Sequence, residues 1–258
     1  MSDYRKFTMR KIAFLFTIVL LLIGANSAKA SHIQGMNISY KHINGDTFVV
    51  TLDFWRYCGG TAFSPTGNYQ NAAGGSPSAN YTIYCDEVGF NLSRNVPVDT
   101  FFEASPICAS QSFLSSCATP GSGLLGIQWY IYRDTLVLSQ LAVTSCDEWK
   151  FVYATGARNS GTNYTSQPSI AVFNEFVMDE DATNSSVQFN TVKPLPFFCD
   201  GQPVGYNWGA TELDGDSLHW ECDTAAQGYS NITQQFSYIN YNTAPAGMGT
   251  VNGLSLIH

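Results

Sequence analysis

Three observations predict an all-β protein, a β-sandwich followed by a second, shorter β module. Apolar and aromatic residues recur with the two-residue period of strands. Clusters of Gly, Ser, Asn and Pro separate these runs, and no twelve-residue window after Ala30 carries a clean helical stripe. Short strands divided by turn signals make a sandwich or a barrel. The 258 residues are ample for a buried core, charged residues are only 12%, and aromatics reach 14%. Few charges and many rings argue against disorder. The net charge of −8 argues against a nucleic-acid groove, which needs clustered Lys and Arg.

Residues 1–30 read as a signal peptide. Arg5, Lys6, Arg10 and Lys11 precede the apolar run IAFLFTIVLLLI, and Ala28-Lys29-Ala30 supplies small residues for cleavage between Ala30 and Ser31. A membrane anchor is the competing reading. Twelve helical residues rise only about 18 Å against a hydrocarbon core of about 30 Å, so no stable transmembrane segment is expected after cleavage. Of the 12 basic and 20 acidic residues, the leader removes five Lys or Arg and only Asp3, so the exported chain is more acidic than the whole. Such a surface suits an extracellular protein, and solubility alone explains most of the charge.

The first strands are expected at 36–42 and 47–57, joined through Asn44-Gly45-Asp46, a hairpin signal. Further strands are expected at 81–92, 126–132, 135–138, 149–153, 170–176 and 187–189. Residues 64–80 form a long polar connection, and connections of that length are usually functional. A boundary falls near Lys193, where Pro194-Leu195-Pro196 is stiff and lacks backbone donors. Domain 31–193 is thus followed by module 194–258, with strands at 203–208, 217–221, 235–241 and 254–257. About 65 residues fall short of the roughly 100 of a seven-strand sandwich, so this module reads as incomplete at its C-terminus.

Cys58, Cys85, Cys108, Cys117, Cys146, Cys199 and Cys222 would meet oxidising conditions in an exported chain. None forms C-x-x-C, and the four His lack zinc-ligand spacing. Cys108 and Cys117 flank the short loop ASQSFLSS and are the easiest pair to close. Cys199 and Cys222 fit one bridge inside the second module. Cys58, Cys85 and Cys146 remain, with one left over.

No nucleophile-elbow, phosphate-loop, zinc-protease or dinucleotide motif occurs, so no catalytic residue and no enzyme activity is expected. His42 and His219 read as solvated or packing residues. In Glu212-Leu213-Asp214-Gly215-Asp216-Ser217, alternate side chains of an extended backbone share a face. Glu212, Asp214 and Asp216 are therefore a candidate Ca²⁺ set, with an ordinary Asp-Gly turn as the alternative. Asp179-Glu180-Asp181 reads as a solvated loop.

Several stretches together resemble the N-terminal region of large Bacteroidetes cell-surface proteins. They are SHIQGMNISYKHINGDTFVVTLDFWRYCGG, CDEWKFVYATGARNSGTNYT and PLPFFCDGQPVGYNWGATELDGDSLHW. In this chain Met36 replaces the second Gly of the family's opening strand, residues 154–157 carry no Cys pair, and Glu212 stands where Asp is usual. The resemblance implies that 194–258 is a truncated immunoglobulin-like module of PKD or cadherin type, with further β modules beyond it. It also implies an adhesin-like protein of the outer cell surface, exported through the Sec pathway and linked to gliding motility and type IX secretion. The partner would be an extracellular glycan or protein surface, met by the polar connections 64–80 and 159–167. The alternative is a carbohydrate-binding module of a secreted polysaccharide-degrading enzyme, with Trp55, Trp129, Trp208 and Trp220 as candidate stacking platforms. A third reading is a passive spacer.

Overall fold

A computed structural model of the chain describes residues 33–58, 78–119, 122–143, 145–156, 170–177, 183–189, 209–223, 226–230, 232–238 and 253–257, with only the backbone described for 177, 220–223 and 253–257. The leader with its Ala30/Ser31 junction, Lys193, the 194–196 linker, the expected strand 203–208, the 179–181 acids, Cys199 and Trp208 lie outside these residues. So does the side chain of Cys222.

The described residues are all-β. Strands β1 (Ile33–Asn44), β2 (Thr47–Tyr57), β3 (Ser78–Cys85), β4 (Phe90–Glu103), β5 (Ile127–Val137), β6 (Glu148–Thr155) and β7 (Ile170–Val177) form one seven-stranded sheet in the order β1-β2-β5-β4-β3-β6-β7. Every neighbouring pair in that order is antiparallel. The expected hairpin forms, with Gly45 at φ +52° in its turn.

Two expectations change. The run 81–92 is not one strand: Asp86–Val88 makes a 3-10 turn and Gly89, at φ +63°, reverses the chain into β4. Only Gly adopts this conformation freely, so Gly89 ends β3. The segments 126–132 and 135–138 are instead one strand, because Arg133 and Asp134 keep their places in the β2–β5 ladder. Asp134 holds position there by accepting from Arg94 (2.8 and 2.9 Å) and from the Tyr81 hydroxyl (2.9 Å).

Strand β4 folds the sheet into two layers. Residues Phe90–Pro97 pair with β3, whereas Val98–Glu103 pair with β5 after a bulge between Val98 and Thr100. Pro97, which has no N–H to give, sits at the change of partner. The front layer is then β1-β2-β5 with the end of β4, and the back layer is the start of β4 with β3-β6-β7.

Rings from both layers meet in the core: Tyr40 packs on Phe151 (5.6 Å), Phe48 on Phe176 (4.8 Å) and Phe54 on Tyr153 (6.5 Å). Burial of these rings is the main drive to close the layers. Burial also raises the pKa of the Tyr132 and Tyr153 hydroxyls, neither of which has a hydrogen-bond partner.

The free edges, β1 and β7, close on each other through side chains. Asn174 donates to Ile38 O (3.2 Å), and Tyr40 donates to Glu175 O (3.4 Å). Ser186 Oγ accepts from Tyr40 N–H (2.8 Å), Ser186 N–H donates to Tyr40 O (3.0 Å), and Ser185 Oγ accepts from His42 N–H (3.2 Å). These contacts satisfy edge groups that would otherwise recruit a foreign strand.

In the C-terminal part, β8 (Gln188–Phe189) pairs β9 (Ala210–Thr211), β10 (His219–Asp223) pairs β13 (Gly253–Ile257), and β11 (Ala226–Ser230) pairs β12 (Gln235–Tyr238). The β11–β12 hairpin packs on the outer face of the back layer, where Phe236 stacks on Phe173 (4.0 Å) and Tyr229 meets Tyr84 edge-on (4.7 Å).

Candidate binding end

Antiparallel pairing throughout the sheet sorts the connections onto two ends. At one end, here the crown, β2, β4 and β6 finish at Tyr57, Glu103 and Thr155, and β1, β3, β5 and β7 begin. The β2–β3, β4–β5 and β6–β7 connections therefore all leave from the crown. At the other end, the base, the chain reverses through Gly45-Asp46 and Asp86–Gly89. Of the two connections expected to touch a partner, 159–167 lies outside the described residues, and of 64–80 only 78–80 is described, inside β3.

The described part of the crown is dominated by the β4–β5 connection. Ala104 N–H donates to Ile127 O (2.7 Å) and Cys58 N–H to Gly126 O (2.9 Å), extending the ladder past the strand ends. Ser105 Oγ accepts from Ile127 N–H (2.9 Å) and donates to Glu103 Oε1 (2.6 Å). Ser116 Oγ accepts from Gly126 N–H (2.9 Å), and Ser115 Oγ accepts from Ala118 N–H (3.1 Å). Both serines are buried. Polar side chains thus replace a hydrophobic core in fixing this segment.

Cys117 is bonded to Cys58, with Cα atoms 4.9 Å apart. The expected Cys108–Cys117 pair is therefore corrected. Nearness in sequence favoured it, but the 3-10 turn Ala109–Leu114 carries Cys108 away as its exposed, unpaired N-cap, and the end of β2 delivers Cys58 instead. Cys85 and Cys146 form the second bridge, at the base. Gly126 is required beside the first bridge. A Cβ there would lie 2.6 Å from Cys117 N, 2.7 Å from Cys117 Sγ and 2.8 Å from Ser116 Oγ.

This scaffold presents apolar residues to solvent. Phe113 is 61% exposed, Phe101 53%, Phe102 42%, and Leu114 and Leu124 are each 37% exposed. Aromatic rows back two of them: Phe101 stacks on Tyr130 (5.3 Å), while Phe102 leans on Trp129 (5.0 Å), which packs on Trp55 (5.4 Å). Trp55 is buried and Trp129 half-buried, so neither offers a bare sugar-stacking face. Trp129 Nε1–H donates to Asp53 Oδ1 (2.8 Å). Burial raises the Asp53 pKa, and the bonds from Trp129 and Asn37 oppose the shift. Sequence reasoning missed this surface. Its signal was Phe113-Leu114 standing inside an otherwise polar loop.

Glu212, Asp214 and Asp216 lie in an exposed turn with Gly215 at φ +96°. Glu212 accepts N–H bonds from Asp214 (2.9 Å), Asp216 (2.8 Å) and Gly215, and these bonds, that from Asp214 foremost, hold its carboxyl below the usual range. Asp214 instead accepts from Ser185 N–H (2.5 Å). Two of the three carboxylates, Glu212 and Asp214, thus accept from backbone donors. Among the described residues, only Cys85, Glu87 and Cys146 bring three ligand atoms within 4.8 Å of one another, and there the two sulfurs are bonded together. His42 bonds to Gly45 O (2.9 Å) at the base turn, a packing role. Among the described residues no helix is long and apolar enough to cross a membrane. That and the two disulfides are compatible with an extracellular protein. Against known proteins, the chain matches no family model, no curated protein and no solved structure.

Proposed function

We propose that this is a non-catalytic, exported, adhesin-like protein that binds an extracellular glycan or protein surface through the crown. The single observation that carries this reading is the exposure of five apolar side chains, Phe101, Phe102, Phe113, Leu114 and Leu124, on the crown segment. Solvent-facing Phe and Leu are unfavourable for solubility, and five of them on this segment support a contact role for it. Here serine hydrogen bonds and the Cys58–Cys117 bridge preorganise it, which lowers the entropy lost on binding. The leader, the disulfides and the resemblance to Bacteroidetes surface proteins support export and a place on the cell surface.

The test is binding of the purified protein to a glycan array and to intact cells, alongside the variant Phe113→Ser/Leu114→Ser. Loss of binding in the variant, with an unchanged melting temperature, is expected. Equal binding by parent and variant overturns the reading. Selective capture of one polysaccharide would favour the carbohydrate-binding module, and no binding at all would favour the spacer.

A further inference from the structure

We propose that the β11–β12 hairpin is a clamp that fixes the C-terminal segment to the back layer of the sandwich near its base. Two strands of this length are marginal alone, so the hairpin needs a surface to fold against. The back layer supplies it. Tyr229 packs edge-on against Tyr84 (4.7 Å), Phe236 stacks on Phe173 (4.0 Å), and the two hairpin rings touch each other (4.7 Å).

Asp86, in the base turn after β3, organises the polar half of the contact. Its carboxylate accepts from Lys150 Nζ (3.0 Å) and from the Tyr229 hydroxyl, and its carbonyl accepts from Gln234 Nε2 (2.9 Å). Lys150, whose side chain is only 15% exposed, also meets Glu148 (2.7 Å) and lies 3.9 Å from Glu175. Gln234 adopts φ +52°, a conformation that side chains disfavour, and its bond to Asp86 offsets that cost. One strand ring and the turn are therefore tied to the base, and the facing strand's ring to the outer face of the back layer.

A second tie lies nearby. Asp214 accepts from Ser185 N–H (2.5 Å), and Ser185 Oγ accepts from His42 N–H (3.2 Å) in β1 near the base turn. Chain leaving β7 is thus held by the hairpin and by the Ser185–Asp214 tie, both near the base. The clamp does not depend on what the crown binds.

Amide hydrogen exchange on the full chain tests it, comparing the parent with Tyr229→Ala/Phe236→Ala. In the parent, residues 226–238 should be protected. In the variant that protection should fall by about tenfold or more for the ring pairs lost, and exchange in β7 should rise, with residues 104–126 unchanged. An unprotected hairpin in the parent, or parent-like protection in the variant, overturns the proposal. The single variant Gln234→Gly, which relieves the backbone but removes the bond to Asp86, serves as a milder check. Its protection should fall if the turn is held by Asp86 and hold or rise if it is not.

Discussion

The two ends of the sandwich carry the same device for different purposes. Each has one disulfide, closing chain separations of 59 residues at the crown and 61 at the base. At the base, Cys85 and Cys146 are buried members of the main core cluster, and the chain turns on glycines at φ +52° and +63°. At the crown, Cys58–Cys117 ties a surface excursion to the end of β2, and the excursion rests on serines and a glycine with no room for a side chain. The base closes the fold. The crown presents exposed apolar side chains.

Removing the bridges gives the largest expected effect. Nearly equal separations predict a similar loss from chain entropy, about 4 kcal/mol for each pair. Cys85→Ala/Cys146→Ala should cost more, because both side chains also leave packed positions. Denaturant melts measure this. Binding divides the ends: below its own melting temperature the base variant should still bind, and Cys58→Ala/Cys117→Ala should not. The reverse pattern would put the binding surface elsewhere.

Glycine substitutions sharpen the contrast. Gly126→Ala forces a Cβ into the bridge and should cost about 1–3 kcal/mol while disturbing 104–126. Gly45→Ala meets open space and should cost about 1 kcal/mol from its positive φ alone, with binding intact. Ser186→Ala, at the sealed side of the layers, leaves Tyr40 N–H without its partner and should cost about 1–3 kcal/mol without touching the crown.

The smallest effect is a pH dependence. Folding raises the pKa of Asp53, so the folded state binds that proton more tightly than the unfolded chain. Its contribution is full below the ordinary carboxylate pKa of about 4 and is lost as pH rises through the folded value. Asp53→Asn keeps an acceptor for Trp129 and removes the charge. The stability of Asp53→Asn relative to the parent should therefore improve as pH rises from about 4 to 7, and a flat difference would show that burial does not perturb Asp53.

The base was easier to read in the sequence than the crown. Asn44-Gly45-Asp46 names its own turn, and the first half of β2 alternates in burial as its local pattern encodes. The Gly89 reversal was missed because strand-like residues stand on both sides of Asp86-Glu87 and Gly89, and β5 was cut in two because Arg133-Asp134 looks like a turn. Only its ladder partners and Arg94 keep that pair in a strand. The crown bridge was misassigned because sequence distance stood in for spatial distance. Which strand end lies beside Cys117 is set by strand order, a long-range property that no local window contains. In the acid turn, Glu212 and Asp214 accept from nearby N–H groups, bonds that the spacing of the acids does not contain.

Binding to a glycan array and to intact cells, measured for the parent, Phe113→Ser/Leu114→Ser and Gly45→Ala, tests the central claim most directly. Exposed positions make the crown substitutions nearly neutral for stability, within about 0.5 kcal/mol. The account predicts that the crown variant stays folded and stops binding while the base variant binds like the parent. A folded crown variant that binds undiminished would contradict it.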